Sequence, residues 1–262
     1  MAIPYYHVDA FTGELFAGNP AGVCILSAFL AESIMQEIAA ENRHSETAFV
    51  VPRADGDFDL RWFTPKLEDD LCGHATLASA YVLALRKHNV WPVRFHTCSG
   101  MLTVAQRQDS FEMDFPARPP QPCETPVDLL PALGLKGALV MKSRDYLVVV
   151  DQAEQVRALS PDIAALAKLD IGIGGTIVTA PGDGDVDYVC RLFSPAEGID
   201  EDPATGSIHC TLAPYWAGRL GKDRLRAQQL SARGGTMQCT IGGDRVKIAG
   251  RACLYLHGTL EL

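Results

Sequence analysis

Short runs rich in Val, Ile, Thr and aromatic residues recur along the chain, at Thr47–Val51, Phe58–Phe63, Phe111–Phe115, Tyr146–Val150 and Val186–Phe193. Such runs predict β-strands, and most of the chain reads as strand. Helical periods are fewer. Glu32–Glu41 places Ile34, Met35, Ile38 and Ala39 on one face, with Asn42 as its C-terminal cap. Ser160-Pro161, an N-cap followed by proline at the first helical position, opens a second helix running to about Lys168. Two further segments, Gly73–Lys87 and Gly206–Leu220, are almost uniformly small or apolar. A helix apolar on all sides is one buried on all sides.

An internal repeat organises these pieces. Asp57-Phe58-Asp59-Leu60-Arg61-Trp62-Phe63-Thr64-Pro65 is echoed by Asp185-Val186-Asp187-Tyr188-Val189-Cys190-Arg191-Leu192-Phe193-Ser194-Pro195. Each copy reads D-x-D and then R-x-F-[Ser/Thr]-Pro. Each passes through an acidic loop, Glu68-Asp69-Asp70 or Glu197 to Asp202, to a glycine, Gly73 or Gly206, that opens one of the apolar helices. The chain therefore reads as two similar halves, each with strands wrapped round a central helix. Five prolines between Pro116 and Pro126 hinder ladder and helix hydrogen bonds alike and mark the link. The expected halves are residues 1–116 and 117–262, with room for the last strand to pack back on the first half.

Composition narrows the function. The 262 residues are 47% hydrophobic and 21% charged, which excludes disordered and fibrous classes. Net charge is −9 with no basic cluster, so nucleic acid and anionic membranes are poor partners. The longest apolar stretch, about Ala21 to Ala31, falls short of the roughly 20 residues that span a bilayer. Eight dispersed cysteines without a C-x-x-C pair, and an N-terminus without a signal-like pattern, point to reduced thiols in the cytoplasm. The seven histidines show no H-x-x-x-H or H-E-x-x-H spacing, so no metal is expected. Ile171-Gly172-Ile173-Gly174-Gly175 follows a helix and leads into a strand, the reverse of a dinucleotide fingerprint, and reads as a loop.

The candidate chemistry gathers at the starts of the two apolar helices. Uncapped amides there, together with the positive end of the helix dipole, suit a small carboxylate, with Gly73, His74 and Ala75 in one half and Thr205, Gly206 and Ser207 in the other as donors. Glu46 precedes an apolar run whose burial would raise a carboxyl pKa toward the range proton transfer needs; the plainer alternative is an exposed loop carboxylate. His74 is either a polar residue at a helix start or part of that chemistry, and Asp202 either a turn residue before Pro203 or a functional one. Cys72, beside a helix N-terminus, is the alternative base. Cys210 and the remaining cysteines read as small buried hydrophobes.

With these residues assembled, the sequence resembles the phenazine-biosynthesis isomerase (PhzF-like) family, within the diaminopimelate epimerase fold. The resemblance is carried over essentially the whole chain by Asp9-Ala10-Phe11-Thr12, Gly18-Asn19-Pro20-Ala21-Gly22-Val23, Ser45-Glu46-Thr47-Ala48-Phe49-Val50, Phe63-Thr64-Pro65, Cys72-Gly73-His74-Ala75-Thr76 and Asp202-Pro203-Ala204-Thr205-Gly206-Ser207. It implies an α+β fold of two similar domains, each a barrel-like sheet round a central buried helix, with the active site in the cleft between them. It further implies a homodimer that works on a small-molecule carboxylate without cofactor or metal. Motif matching makes Glu46 the general acid/base, His74, Asp202 and Ser207 its polar partners, and the Gly73–Ala75 and Thr205–Gly206 turns the carboxylate-binding amides. The phenazine isomerase itself lacks cysteine before Gly-His, whereas related proline racemases place a catalytic thiol where Cys72 stands. Three readings follow: a Glu46-dependent isomerase of a cyclic or unsaturated carboxylic acid, a Cys72-dependent epimerase or dehydratase, and a binding module without catalysis.

Overall fold

The structure is a computed structural model that describes residues 2–170 and 174–262. In chain order its elements are β1 (Ala2–Ala10), β2 (Asn19–Ile25), α1 (Glu32–Asn42), β3 (Glu46–Pro52), β4 (Phe58–Phe63), β5 (Glu68–Asp69), α2 (Gly73–Leu85), β6 (Val93–Thr97), β7 (Gly100–Arg107) and β8 (Ser110–Pro116). They continue with β9 (Gln121–Pro122), α3 (Leu129–Ala132), β10 (Leu139–Lys142), β11 (Tyr146–Val149), α4 (Ala153–Arg157), α5 (Ile163–Leu166), β12 (Thr176–Pro181), β13 (Tyr188–Ser194) and β14 (Ile199–Asp202). The last are α6 (His209–Leu220), β15 (Arg224–Gln229), β16 (Gly235–Gly242), β17 (Arg245–Gly250) and β18 (Ala252–Glu261). The fold is mixed α+β. No helix among the described residues is long and apolar enough to cross a membrane.

The chain divides into two compact units, Met1–Phe115 with Lys247–Leu262, and Pro116–Val246. The last strand thus packs with the first unit, an arrangement the sequence reading left open, and residues 247–250 of β17 go with it, because β18 pairs along the whole of β1.

In the first unit β1 pairs antiparallel with β2, β2 parallel with β3, β3 antiparallel with β4, β4 parallel with β6, and β6 antiparallel with β7, while β5 lies beside β4. The second unit repeats the order. There β10 and β11 are antiparallel, β11 and β12 parallel, β12 and β13 antiparallel, β13 and β15 parallel, and β15 and β16 antiparallel, with β14 beside β13. The repeat read from the sequence is therefore a repeat of strand pairing, and its two motif copies are β4 and β13.

Strand alternation sorts each sheet into two faces. Phe49, Val51, Phe63 and Cys24 pack with Met35, Ile38 and Ala39 of α1. Glu46, Ala48 and Val50 must then point to the opposite face, where α2 packs on β1, β2 and β3. Ten of the thirteen α2 residues are buried, and its N-terminus has no side-chain cap. Burying one Leu or Val is worth about 1.5–3 kcal/mol against about 1 kcal/mol for a cap, so packing holds this helix.

The local corrections have physical causes. Asn42 is the last residue of α1, not its cap; its side-chain amide donates to Thr47 Oγ1 at 3.3 Å, and Arg43 takes the left-handed cap conformation with φ 55°. The helix expected from Ser160 shrinks to α5, because Asp162 caps it by accepting from the Ala165 amide at 2.9 Å. The expected acidic loops contain the short strands β5 and β14. Even the proline-rich link forms a two-residue ladder, β9 with β10. α6 begins at His209 rather than Gly206, since the preceding residues make three-residue turns, with amides of His209 and Cys210 donating to Gly206 and Ser207 carbonyls. Its last turn, residues 218–220, is exposed, so it is not buried on every side. Of the Ile171–Gly175 loop only Gly174 and Gly175 fall among the described residues; Gly174 has φ 117°, a region open to glycine. All eight cysteines are free, but Cys98 is exposed and Cys123 and Cys253 are half-buried, against the expectation of uniform burial.

Candidate active site

Glu46 is the first residue of β3, fixed by parallel pairing with Ala21. Just before it, the Ser45 hydroxyl donates to Asn19 Oδ1 at 3.3 Å, which ties the Gly18-Asn19-Pro20 and Ser45-Glu46-Thr47 motifs together. The carboxylate points toward α2 and is only 7% exposed. The bland reading as an exposed loop carboxylate therefore fails.

Cys72 holds the N-cap position of α2 in extended conformation, and His74 follows inside the first turn. Their exposures are 4% and 5%. The Cys72 thiol lies 3.4 Å from His74 Nδ1, and His74 Nε2 lies 3.1 Å from Glu46 Oε2. The imidazole thus stands between a thiol and a carboxylate. Glu46 Oε2 is buried and accepts no hydrogen bond among the described residues, with His74 Nε2 standing against it at 3.1 Å. Together the three residues offer a carboxylate oxygen, a ring nitrogen and a sulfur within 4.8 Å of one another. Gly73 and Ala75 are buried in the same first turn, whose amides have no intrahelical acceptor.

Asp69 is a functional candidate that sequence reasoning left inside an acidic loop. It pairs with Trp62, which pairs with Ala48, so it shares the α2-facing side of the sheet with Glu46. Burial first, and the charge of Glu46 second, push its carboxyl up to about 6. The signal lay in the repeat. Arg61 forks onto Glu68 through Nε at 2.6 Å, and Arg191 onto Glu201 through Nε at 2.6 Å. Glu68 thus matches Glu201, and the next residues, Asp69 and Asp202, match each other.

In the second unit Asp202 ends β14 and is buried. Its Oδ2 accepts from the Thr205 hydroxyl. Gln229, fully buried at the end of β15, donates to the Asp202 carbonyl at 2.6 Å and accepts from the Thr205 amide at 2.8 Å. The Thr205 amide is accordingly spent on Gln229 and is no free carboxylate donor; of the proposed turn donors, Gly206 and Ser207 remain. Gln229 itself carried no signal, since it sits in an ordinary strand 24 residues from the loop it clamps. The structure places Glu46, Cys72, Gly73, His74 and Ala75 together in the first unit, and Asp202, Thr205, Gly206 and Ser207 in the second.

Against known proteins, residues 8–258 match the family described as phenazine biosynthesis-like protein. An uncharacterized isomerase of Pseudomonas aeruginosa is 53% identical over 263 residues, covering all of both chains. A crystal structure of a phenazine biosynthesis protein of the PhzF family from Enterococcus faecalis is 44% identical over the full length of both chains, with a TM-score of 0.95. More distantly, a hydroxyproline epimerase from Agrobacterium vitis shares the fold alone, at 12% identity and a TM-score of 0.63 over 99% of this chain and 92% of that one.

Proposed function

Because the chain belongs to the phenazine biosynthesis-like protein family, we propose that it is an isomerase of a small cyclic or unsaturated carboxylic acid, working by proton transfer through Glu46 without a cofactor. The observation that carries this reading is the buried Glu46 carboxylate, whose Oε2 accepts no hydrogen bond among the described residues and so keeps a basic lone pair for a substrate C–H. Curated relatives named as isomerases, at 53% and 48% identity over the full chain, support the reaction class.

In this mechanism the Glu46 carboxylate removes a proton from one carbon, holds it, and returns it at another. The first-turn amides of α2 receive the substrate carboxylate, and their fixed dipoles stabilise charge developing on the conjugated system. His74 keeps the Glu46 side chain in place from 3.1 Å.

The test is deuterium exchange followed by NMR, with a panel of cyclic and unsaturated amino and hydroxy acids in heavy water. Glu46→Gln should lower exchange by at least about 100-fold, the usual contribution of a positioned general base, while circular dichroism stays native. Exchange near the wild-type rate in that variant would sink the assignment. One observation favours a second reading: the Cys72 thiol sits at a helix N-terminus against His74 Nδ1, at 3.4 Å, the setting of a thiol base. Loss of exchange in Cys72→Ser with retention in Glu46→Gln would move the chain to a thiol-dependent epimerase or dehydratase.

A further inference from the structure

Sequence spacing tests only for local metal motifs, and Glu46, Cys72 and His74 are brought together by tertiary pairing of β3 with the start of α2. We propose that these three side chains form a zinc site, and that zinc bound there silences the acid/base carboxylate. The silencing rests on the function proposed above; the binding does not.

The donor set suits this metal. Thiolate, imidazole and carboxylate are the three zinc ligand types, and thiolate selects against magnesium and calcium. Bonds of about 2.0–2.3 Å place tetrahedral ligand atoms roughly 3.3–3.7 Å apart. The thiol stands 3.4 Å from Nδ1 and the carboxylate 3.1 Å from Nε2; since one imidazole gives a metal ion only one nitrogen, one of these two separations is already of the right size and the ring must turn for the other. The whole triad lies within 4.8 Å, so turning the imidazole and drawing the ligands in by about an ångström closes the site. Three protein ligands leave the fourth position to water or a substrate carboxylate, as in zinc sites that bind exogenous groups.

Charge argues the same way. Glu46 Oε2 is a buried acceptor without a hydrogen bond among the described residues. One Zn²⁺ with one thiolate and one carboxylate sums to zero, which removes most of the cost of burying those charges separately. On binding, the Cys72 S–H bond breaks, sulfur keeps the electron pair and donates it to the metal, and the proton leaves to buffer. Among the described residues the other cluster with ligand potential, Asp55, Asp57 and His96, is a poorer candidate, because Arg94 already holds Asp57 from 2.8 Å.

Cobalt(II) is the probe. Titrating chelator-stripped, reduced protein should produce, at one equivalent, a near-ultraviolet thiolate-to-cobalt charge-transfer band with tetrahedral visible bands, both abolished by one equivalent of zinc. Cys72→Ser should remove the charge-transfer band, and both Cys72→Ser and Glu46→Gln should weaken zinc binding by about 100-fold or more, since even outer-shell losses cost 10–100-fold. Cys98→Ser and Asp57→Asn should change neither. No band, a band that survives in folded Cys72→Ser and Cys72→Ala proteins, or one lost with Asp57→Asn would overturn the site. In the exchange assay zinc should abolish turnover and chelator restore it. Exchange undiminished in zinc-loaded protein would overturn the silencing, and if no compound exchanges in metal-free protein it is the functional reading that fails, with the cobalt spectrum still deciding the site.

Discussion

Asp69 shows how much one side chain can owe to its neighbours. Its carboxyl titrates at about 6, raised by burial and then by Glu46, against an ordinary value near 4. The folded protein therefore holds this proton more tightly than the unfolded chain. The resulting stabilisation is full below about pH 4 and is lost as the pH climbs through 6. At neutral pH the ionised group costs at most about 3 kcal/mol, one pKa unit being worth about 1.4. Asp69→Asn should accordingly raise the melting temperature at pH 7.5 and leave it nearly unchanged at pH 4; a variant equally destabilised at both values would refute the assignment. Glu46 and His74 were legible in the sequence because their neighbours form recognisable local motifs. Asp69 was not, since its environment is made by β3 and β4 rather than by adjacent residues. Gln229 was hidden for the same reason.

At the scale of elements, the R-x-F motif explains why the repeat persists in both units. Arg61 forks onto Glu68 of β5 and lies over the Phe63 ring at 5.1 Å; Arg191 forks onto Glu201 of β14 and lies over Phe193 at 4.9 Å. Each arginine so pins a short strand carrying an aspartate that faces the central helix. The two clamps differ in exposure. Arg191 is 11% exposed and also donates to the Val156 and Leu159 carbonyls, whereas Arg61 is 26% exposed and shares its charge with exposed Glu32. Arg191→Met should therefore cost about 3 kcal/mol in urea unfolding, as buried pairs do when one partner is lost, and Arg61→Met about 1. Equal costs would show that burial is not what separates them. Strand positions were legible because alternation and the repeat agree. Helix starts at Gly206 and Ser160 were not, because turn bonds and the Asp162 cap compete at those ends.

For the whole molecule, His209 sets the acid limit. It is fully buried, shares a 2.7 Å hydrogen bond between Nδ1 and the Tyr188 hydroxyl, and burial pushes its pKa down to about 3. Unfolding frees it to take a proton, so stability is full above about pH 6.5 and is lost as the pH falls toward 3, by about 1.4 kcal/mol per unit. Asp69 works in the opposite direction between pH 4 and 6, and the two partly cancel in the native protein. In Asp69→Asn protein the His209 slope should stand alone; urea midpoints flat from pH 6 to 4 in that variant would contradict the burial of a neutral His209. The two-unit architecture itself was legible through the motif copies; the sequence left room for the last strand to pack on the first half, and only its pairing with β1 fixes that, because partners distant in sequence leave no local trace. That strand has a consequence for synthesis. The second unit, Pro116–Val246, is complete in the nascent chain before β18 is translated. β1 must wait with one edge open until the ribosome delivers its partner, so the first unit closes its sheet only after the whole of the second has been made.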